Sequence, residues 1–238
     1  ATTTYKDLEE GIKKMSTTTA SSKEEIAAVM EAAGQLGVPT DDILRFTETM
    51  IKLGDTTNVT AEEAAVALAK FVNVTGDGTG NVDKLGASIV ALGNNFATDE
   101  RSIIDMSQRL AAAGKISGLT STDILALAAS MSSVGIEAEA GGTAMSQTLT
   151  SISKAVAEPG EKLNELAKIS GMTADEFAAK WKEKPIDALQ AFLKGLGDMN
   201  DQGQDTYSVL DDPGMSGIRQ YNMLQSLALA NENVAKAV

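Results

Sequence analysis

The feature that most constrains this sequence is a unit that recurs along it: Thr or Ser, then acidic residues, an apolar stripe and a glycine. Thr60–Glu63 and Thr173–Glu176 are capping boxes, in which the Thr side chain accepts from a first-turn amide and the Glu reaches back. The stripes step by three and four residues, as in Ile43, Phe46 and Met50. This spacing gives one apolar face to a helix. The sequence therefore predicts many short amphipathic helices.

We predict an all-α fold of about ten or eleven short helices with no sheet, because no segment alternates with the two-residue period of a strand. Glycines are expected to end helices in the left-handed conformation; the candidates are Gly37, Gly54, Gly114, Gly135 and Gly171. The predicted helices span residues 21–36, 41–53, 61–75, 82–96, 99–113, 121–134, 143–157, 161–170, 174–184, 186–199 and 216–238.

The stripes also recur at intervals of two helices. Ile43, Leu85 and Ile124 hold equivalent positions in successive helix pairs, and so do Ile103 and Met145. A unit of about 40 residues indicates helical hairpins stacked on one another, as in helical repeat proteins. The predicted organisation is a mobile connector over residues 1–22, a helical-hairpin repeat region over 23–158, and a second helical segment over 159–238 that continues into a longer chain.

Composition excludes several kinds of function. The chain has no cysteine, which rules out disulfides and thiolate metal sites, and no histidine, which rules out Ser–His nucleophilic catalysis. The formal net charge of −13 opposes phosphate backbones, so we predict no direct nucleic-acid binding through this segment. No apolar run reaches the roughly 20 residues that a membrane-spanning helix needs, and no span is predicted.

The glycine-rich loop Gly76–Gly80 is the first candidate for ligand chemistry. A phosphate loop of the Walker type needs Lys and then Ser or Thr after its last glycine, but Asn81 and Val82 follow here. A calcium loop starting at Asp77 would need Gly where Val82 stands and Glu where Ser88 stands. We therefore interpret the loop as a flexible turn and predict no cofactor or metal site.

Three acidic pairs are candidates for the general acid and base of a glycosidase: Glu62–Glu63, Asp99–Glu100 and Asp175–Glu176. Each pair lies in a predicted first helical turn, where capping and the helix dipole account for it. Neighbouring helical residues also point about 100° apart rather than at one substrate. We predict no catalytic residue and no enzymatic activity.

Aromatic and methionine side chains are candidates for partner contacts. Trp181 lies between two lysines, but Phe177 stands one helical turn earlier, which favours a core pair. Met50, Met131 and Met145 could form an adaptable binding groove. Because all three fall on the predicted apolar stripes, we interpret them as core residues.

The chain from about Glu24 to Val238 resembles the conserved helical region of phage tail tape measure proteins. The order of its motifs carries the resemblance more than any single motif does, since capped Ala-rich helices are common. The similar stretches are Gly37–Asp42, Thr60–Ala65, Leu127–Met145, Leu163–Trp181, Pro185–Leu189 and Gly214–Arg219. In the Leu127–Met145 stretch, a helix ends at Gly135-Ile136, and a second one opens at Gly142-Thr143-Ala144.

The resemblance implies a structural protein inside the phage tail tube, whose full length sets the tail length and which leaves with or before the DNA. It implies virion localisation, with the host cytoplasm during assembly. It also implies tube, tail tip or baseplate proteins and assembly chaperones as partners, and self-association in the tail lumen. Two alternatives stay open: a peptidoglycan hydrolase domain of a tail protein, and a helical-repeat adaptor that binds another protein.

The glycine content also bears on how such a segment would act. A ruler made of continuous helix needs long uninterrupted heptads, yet this chain has 21 glycines and four prolines, and its stripes stop after three or four turns. We therefore expect a compact interaction module rather than the length-setting part of a tape measure protein.

Overall fold

The computed structural model describes residues 3–230, and these residues form thirteen α-helices and no strand, which confirms the all-α prediction. One turn of 3-10 helix, Thr79–Asn81, precedes α5. The helices are α1 (Tyr5–Thr18), α2 (Lys23–Gln35), α3 (Ile43–Thr56), α4 (Ala61–Thr75), α5 (Val82–Asn95), α6 (Glu100–Ile116), α7 (Ser121–Ser133), α8 (Ala138–Ala157), α9 (Glu161–Ile169), α10 (Ala174–Glu183), α11 (Pro185–Asp201), α12 (Thr206–Asp211) and α13 (Ile218–Leu229).

Capping boxes start five of these helices. Each has a Thr or Ser at the N-cap and an Asp or Glu three residues later, and both reciprocal hydrogen bonds are formed. The N-cap residues are Thr4, Ser22, Thr60, Thr120 and Thr173. Asp99 caps α6 with its own carboxylate, which accepts from the Ser102 amide. The starts of these six helices are therefore encoded locally, at the N-cap and in the first turn.

The first eight helices stack in two rows. In one row α2, α4, α6 and α8 pack in succession, and in the other α1, α3, α5 and α7 do so. Helices that follow each other in the chain also pack across the rows, as α2 with α3 and α6 with α7. This is the predicted arrangement of stacked helical hairpins.

The remaining helices close the end of this array. Helices α9, α10 and α11 pack on one another, while α13 returns to pack against α8 and α11. Inside this contact, Gln220 Nε2 donates to Thr148 Oγ1 at 2.8 Å, and both side chains are buried. One continuous hydrophobic core runs from Met15 to Ala228. The division into regions 23–158 and 159–238 stays a prediction, and the two regions share this core.

Within the predicted connector over residues 1–22, the structure has a helix, α1. Thr4 and Asp7 form the same capping box as the later helices, and Ile12 and Met15 carry its apolar stripe onto the core. The hydroxyls of the polar end, from Ser16 to Thr19, donate back to carbonyls three or four residues earlier. The polar composition that suggested a linker therefore belongs to the last turn of a helix.

Two further boundaries differ from the prediction. Helix α12 was not predicted, since its six residues are too few to show a periodic stripe. Helix α8 begins at Ala138 rather than at residue 143, so Gly141 and Gly142 lie inside it and are buried. The last predicted helix, 216–238, is seen as α13, and its residues 231–238 lie outside the described residues.

The glycines divide into two groups. Gly37, Gly135 and Gly171 have positive φ and follow helix ends, as predicted. The prediction is wrong for Gly54 and Gly114, which lie inside α3 and α6. A Cβ atom at Gly114 would stand 2.7 Å from Cγ1 of Ile124, and one at Gly54 would stand 2.8 Å from the amide nitrogen of Ala61. These two glycines permit close packing and do not end a helix.

Candidate interaction surfaces

Hydrogen bonds between loops tie the array along one side, here called the first edge. This edge contains the connections α1–α2, α3–α4, α5–α6 and α7–α8. The Ala20 amide donates to Asp55 Oδ2 at 3.3 Å, and Asn58 Nδ2 donates to Asp99 Oδ1 at 2.8 Å. The hydroxyls of Thr98 and Ser132 extend the series. Each unit is thus connected to the next through its loops and the adjoining helix ends.

The opposite side, here called the second edge, carries an equivalent series. It contains the connections α2–α3, α4–α5 and α6–α7. Its bonds run from Thr3 to Asp41 at 2.9 Å, from Thr79 to Asp42 at 2.7 Å, from Ser121 to Asp77, and from Ser153 to Ser117 at 3.0 Å. On both edges the bonded residues are 34 to 44 positions apart. That separation matches the repeat unit of about 40 residues.

An ion pair on the first edge joins α4 to α6. Arg101 forms a bidentate pair with Glu63, with Nη2–Oε2 at 2.7 Å and Nη1–Oε1 at 3.1 Å. Its Nη2 also donates to the carbonyl of Asn58 at 3.1 Å. The hydrogen bond from Arg101, together with those from Thr60, lowers the pKa of Glu63 to about 2. Glu63 is therefore ionised near neutral pH, the opposite of what a general acid requires.

The three predicted acidic pairs lie in two different parts of the structure. Glu62–Glu63 and Asp99–Glu100 share the first edge, where Asn58 links Asp99 to Arg101. The pair Asp175–Glu176 starts α10 in the closing helices. There the backbone amide and then the hydroxyl of Thr173 lower the pKa of Glu176. The capping interpretation accounts for the acidic residue at the third helical position of both capping boxes.

The glycine-rich loop Gly76–Gly80 belongs to the second edge. Asp77 accepts from the Ser121 hydroxyl, and Thr79 is buried and donates to Asp42. Two of the side chains that a calcium loop would use, Asp77 and Thr79, are thus engaged in hydrogen bonds between units. No group of three acidic residues that could hold a metal ion occurs in residues 3–230. The absence of a metal or cofactor site stays a prediction.

The aromatic and methionine residues confirm the core interpretation. Phe177 and Trp181 are buried and stacked, with ring centroids 6.4 Å apart and planes 13° apart. Met50, Met131 and Met145 are fully buried. These side chains are therefore not available to a partner.

Six large apolar side chains in residues 3–230 are exposed, and three of them belong to the short stretch of α12 and α13. The six are Tyr5, Val74, Ile116, Tyr207, Ile218 and Leu229. No helix within the described part of the chain is long and apolar enough to cross a membrane.

Sequence reasoning did not single out Asn58 and Arg101, which hold the first edge together. The repeat length could nevertheless have indicated that Arg101 pairs with Glu63. Arg101 follows Glu63 by 38 residues, close to one helix pair, so the two stand side by side once the pairs stack. In stacked hairpins, a basic residue one repeat unit after an acidic first-turn residue therefore predicts an ion pair between the two units.

Comparison with known proteins identifies the family of this chain. A family model described as phage-related minor tail protein matches residues 9–210, from α1 to α12. Neither the curated proteins nor the solved structures give a match. The family match covers most of the chain and all of the stacked array except the first residues of α1. The chain therefore belongs to the phage-related minor tail protein family, the family of tape measure protein domains, and is a structural protein of the virion tail.

Proposed function

We propose that this segment is a compact interaction module of a tape measure protein, which docks other tail components or acts during genome ejection. Other parts of the full protein would set the tail length. The observation that carries the proposal is the reversal of the chain after each helix from α1 to α8, with successive reversals tied along both edges.

The dimensions support this division of roles. A continuous α-helix rises about 1.5 Å per residue, so residues 3–230 would extend about 340 Å in that form. The longest helix within residues 3–230, α8, has 20 residues, which corresponds to about 30 Å. Extending the array further would disrupt its shared core and the hydrogen bonds between successive units. A ruler needs a fixed rise per residue, and stacked hairpins do not offer it.

The proposed partners follow from the family. They are tail tube proteins, the tail tip or baseplate, assembly chaperones, and further copies of the tape measure protein in the tail lumen. We place the protein in the host cytoplasm during assembly. The net charge of −13 disfavours direct contact with DNA through this segment. Membership of a phage tail family also favours this role over that of an adaptor unrelated to phage.

The experiment is an in-frame deletion of Thr98–Gly135 in the intact phage, which removes α6 and α7. One helix leaves each row, so α8 can follow α5 without reversing the alternation of the rows. A duplication of the same pair is the second variant, because it adds a unit without removing contacts. The control is a deletion of 38 residues in another part of the full protein. Tail length is measured by electron microscopy.

We expect tails of unchanged length from the duplication, and either unchanged length or failed assembly from the deletion. The control deletion should shorten the tail in proportion to the residues removed. A change in tail length with the deletion or the duplication, at the same length per residue as the control, would overturn the compact-module proposal.

We also propose that the segment does not cleave peptidoglycan. The hydrogen bonds that lower the pKa of Glu63 and Glu176 keep these carboxylates ionised, whereas a glycosidase acid needs a raised pKa. A turbidity assay on purified cell walls tests this, and clearing that depends on the protein would contradict it.

A further inference from the structure

An exposed apolar patch with an aromatic pair lies where α12 meets α13. The rings of Tyr207 and Tyr221 meet edge to face, with centroids 5.4 Å apart and planes at 64°. Ile218 lies one helical turn before Tyr221 and is therefore its neighbour on the surface of α13. Tyr207 is 51% exposed and Ile218 is 74% exposed. These three residues are called the Tyr207 patch below.

The patch is held in place by a partly buried polar network. The hydroxyls of Tyr221 and Thr206 are 3.3 Å apart, and Gln225 Nε2 donates to Thr206 Oγ1 at 2.8 Å. Asn200 Nδ2 in turn donates to Gln225 Oε1 at 2.6 Å, which connects α11 to α13. The backbone under Tyr207 is fixed as well, because Asp205 accepts from its amide. A preorganised aromatic surface loses little entropy when a partner binds.

The sequence around the patch is acidic, and two basic side chains adjoin it: Lys162, whose Nζ reaches the turn at Gly214, and Arg219, which follows Ile218. Residues 195–218 contain five aspartates and no Lys or Arg. Asp211 lies on the same face of α12 as Tyr207, four residues later, and Asp212 follows it. All five carboxylates are exposed; they are Asp198, Asp201, Asp205, Asp211 and Asp212. Lys194 pairs with Asp198 at 2.6 Å, and the next basic residue in the sequence is Arg219.

We propose that the Tyr207 patch docks a basic, partly apolar segment of another tail protein. An Arg or Lys side chain can lie over the exposed Tyr207 ring while its charge faces Asp211 and Asp212. An apolar side chain of the same segment covers Ile218. This inference rests on the proposed interaction module and names the chemistry of its partner.

Charge favours this occupant over a second copy of the chain. In a symmetric contact the aspartates of one copy would face those of the other, and like charges held together oppose association. Phosphate groups of nucleic acid or lipid are repelled for the same reason. A basic peptide segment is the partner for which both the apolar side chains and the charges of the patch are complementary.

The chain offers matched controls for each part of the patch. Tyr5 is 84% exposed on α1, and Ile116 is 81% exposed at the end of α6, each beside a lysine in the sequence. The acidic pair Glu9–Glu10 on α1 is exposed and can be compared with Asp211–Asp212. The Tyr and Ile substitutions remove the same atoms as in the patch, and the Glu substitutions neutralise two carboxylates, which here pair with Lys6 and Lys13.

The experiment measures binding of a fluorescein-labelled peptide of alternating Arg, Leu and Lys residues by fluorescence anisotropy, at several salt concentrations. The protein is the full 238-residue chain. We expect saturable binding that weakens with salt, and no binding of a peptide in which Glu replaces Arg and Lys. Tyr207→Ala and Ile218→Ser should each weaken binding roughly tenfold or more. Asp211→Asn with Asp212→Asn should weaken it and reduce its salt dependence.

The controls Tyr5→Ala, Ile116→Ser and Glu9→Gln with Glu10→Gln should leave the affinity unchanged. Equal effects of patch and control substitutions would show attraction to the net charge alone and would overturn the proposal, and so would failure of the unmodified chain to bind. Circular dichroism of each variant verifies its fold, and Ile218→Ser keeps the test valid if Tyr207→Ala unfolds. Tail length is not measured here, so failure of this docking site is distinguishable from failure of the interaction-module proposal.

Discussion

Single carboxylates in this protein connect the start of one helix to a neighbouring unit. Glu63 accepts from the amide and the hydroxyl of Thr60, which completes a capping box, and it also holds Arg101 on α6. Asp99 caps its own helix and accepts from Asn58 of the preceding connection. One acidic residue thus contributes both to local helix formation and to the stacking of units.

The first prediction concerns the pH dependence of this contact. The pKa of Glu63 falls from 4.5 to about 2 on folding, so the ionised form is stabilised in the native state. Its contribution to stability is fully present above pH 4.5 and is lost as the pH falls through about 2. Glu63→Gln should therefore lower the melting temperature at neutral pH, and this difference should shrink as the pH approaches 2.

The control for this experiment is Glu62→Gln, which changes an exposed neighbour on the same turn. Calorimetric melting curves of the three proteins across this pH range test the prediction. A difference between wild type and Glu63→Gln that stays constant with pH would contradict the role assigned to the Arg101 pair.

The second prediction concerns Gly135, which ends α7. Its φ is 78°, and a Cβ added there would meet nothing within 4 Å, so backbone conformation alone sets the cost of a side chain. A β-branched residue resists positive φ, so Gly135→Val should cost about 1–2 kcal/mol in the free energy of unfolding. Gly135→Asn should cost less, because Asn tolerates the left-handed region.

Gly217 offers the comparison, since its φ is −51° and the space around it is also open. Gly217→Val should cost less than Gly135→Val in a denaturant titration, although valine is also disfavoured at the N-cap position that Gly217 occupies in α13. An unchanged stability of Gly135→Val would mean that the left-handed conformation is not required at the end of α7.

At the scale of helices, the sequence predicts what is encoded within one or two turns. The boxes at Thr60 and Thr173 and the stripes after them predict α4 and α10 closely, because capping and amphipathicity are local properties. Gly54 and Gly114 were misinterpreted as helix ends, because the close contacts that require them come from residues on other elements. Tertiary contacts determine whether a glycine ends a helix or permits close packing, and the sequence of a single helix does not show these contacts.

The same distinction between local and tertiary signals applies to the candidate surfaces. The core roles of Trp181 and Met145 were predictable from their place on a stripe. The Tyr207 patch was not, since it needs α12 and α13 to meet, and α12 is too short to give a periodic signal. The ties between loops join residues 34 to 44 positions apart, and the repeat length predicts them only once the stacking is known.

The third prediction tests close packing between helices. A Cβ at Gly195 of α11 would overlap the carbonyl oxygen of Ile169 at the end of α9. That atom belongs to the backbone and cannot rotate away. Gly195→Ala should therefore lower the unfolding free energy by about 1–3 kcal/mol, although alanine favours helix by about 1 kcal/mol.

Gly11 of α1 is the matched control. A Cβ there would overlap a δ-methyl group of Leu44, the end of a side chain that is only partly buried and can change rotamer. Gly11→Ala should therefore leave stability unchanged or raise it. Equal stability of the two variants in urea titrations would show that the backbone contact at Gly195 does not limit packing.

At the scale of the whole molecule, the contacts of the closing helices with the array determine whether the protein unfolds as one cooperative unit. Helix α13 covers α8, the last helix of its row, so the row does not end in an open apolar face. The family match ends at residue 210, before this helix begins. Helical arrays without strong coupling can unfold in parts, and chains above about 150 residues often do so.

The last prediction is that the array and the closing helices unfold together. They share one core, and the buried hydrogen bond from Gln220 to Thr148 crosses between them. Trp181, the one tryptophan in the sequence, is buried in α10 and reports on the closing helices, whereas circular dichroism reports on all helices. The two signals should change at the same temperature. Gln220→Ala leaves the buried Thr148 hydroxyl without this partner and should lower both transitions by an amount that corresponds to about 1–3 kcal/mol. If tryptophan fluorescence instead changed several degrees away from the circular dichroism signal, residues 159–238 would be a separate folding unit, and the shared core would not couple them to the array.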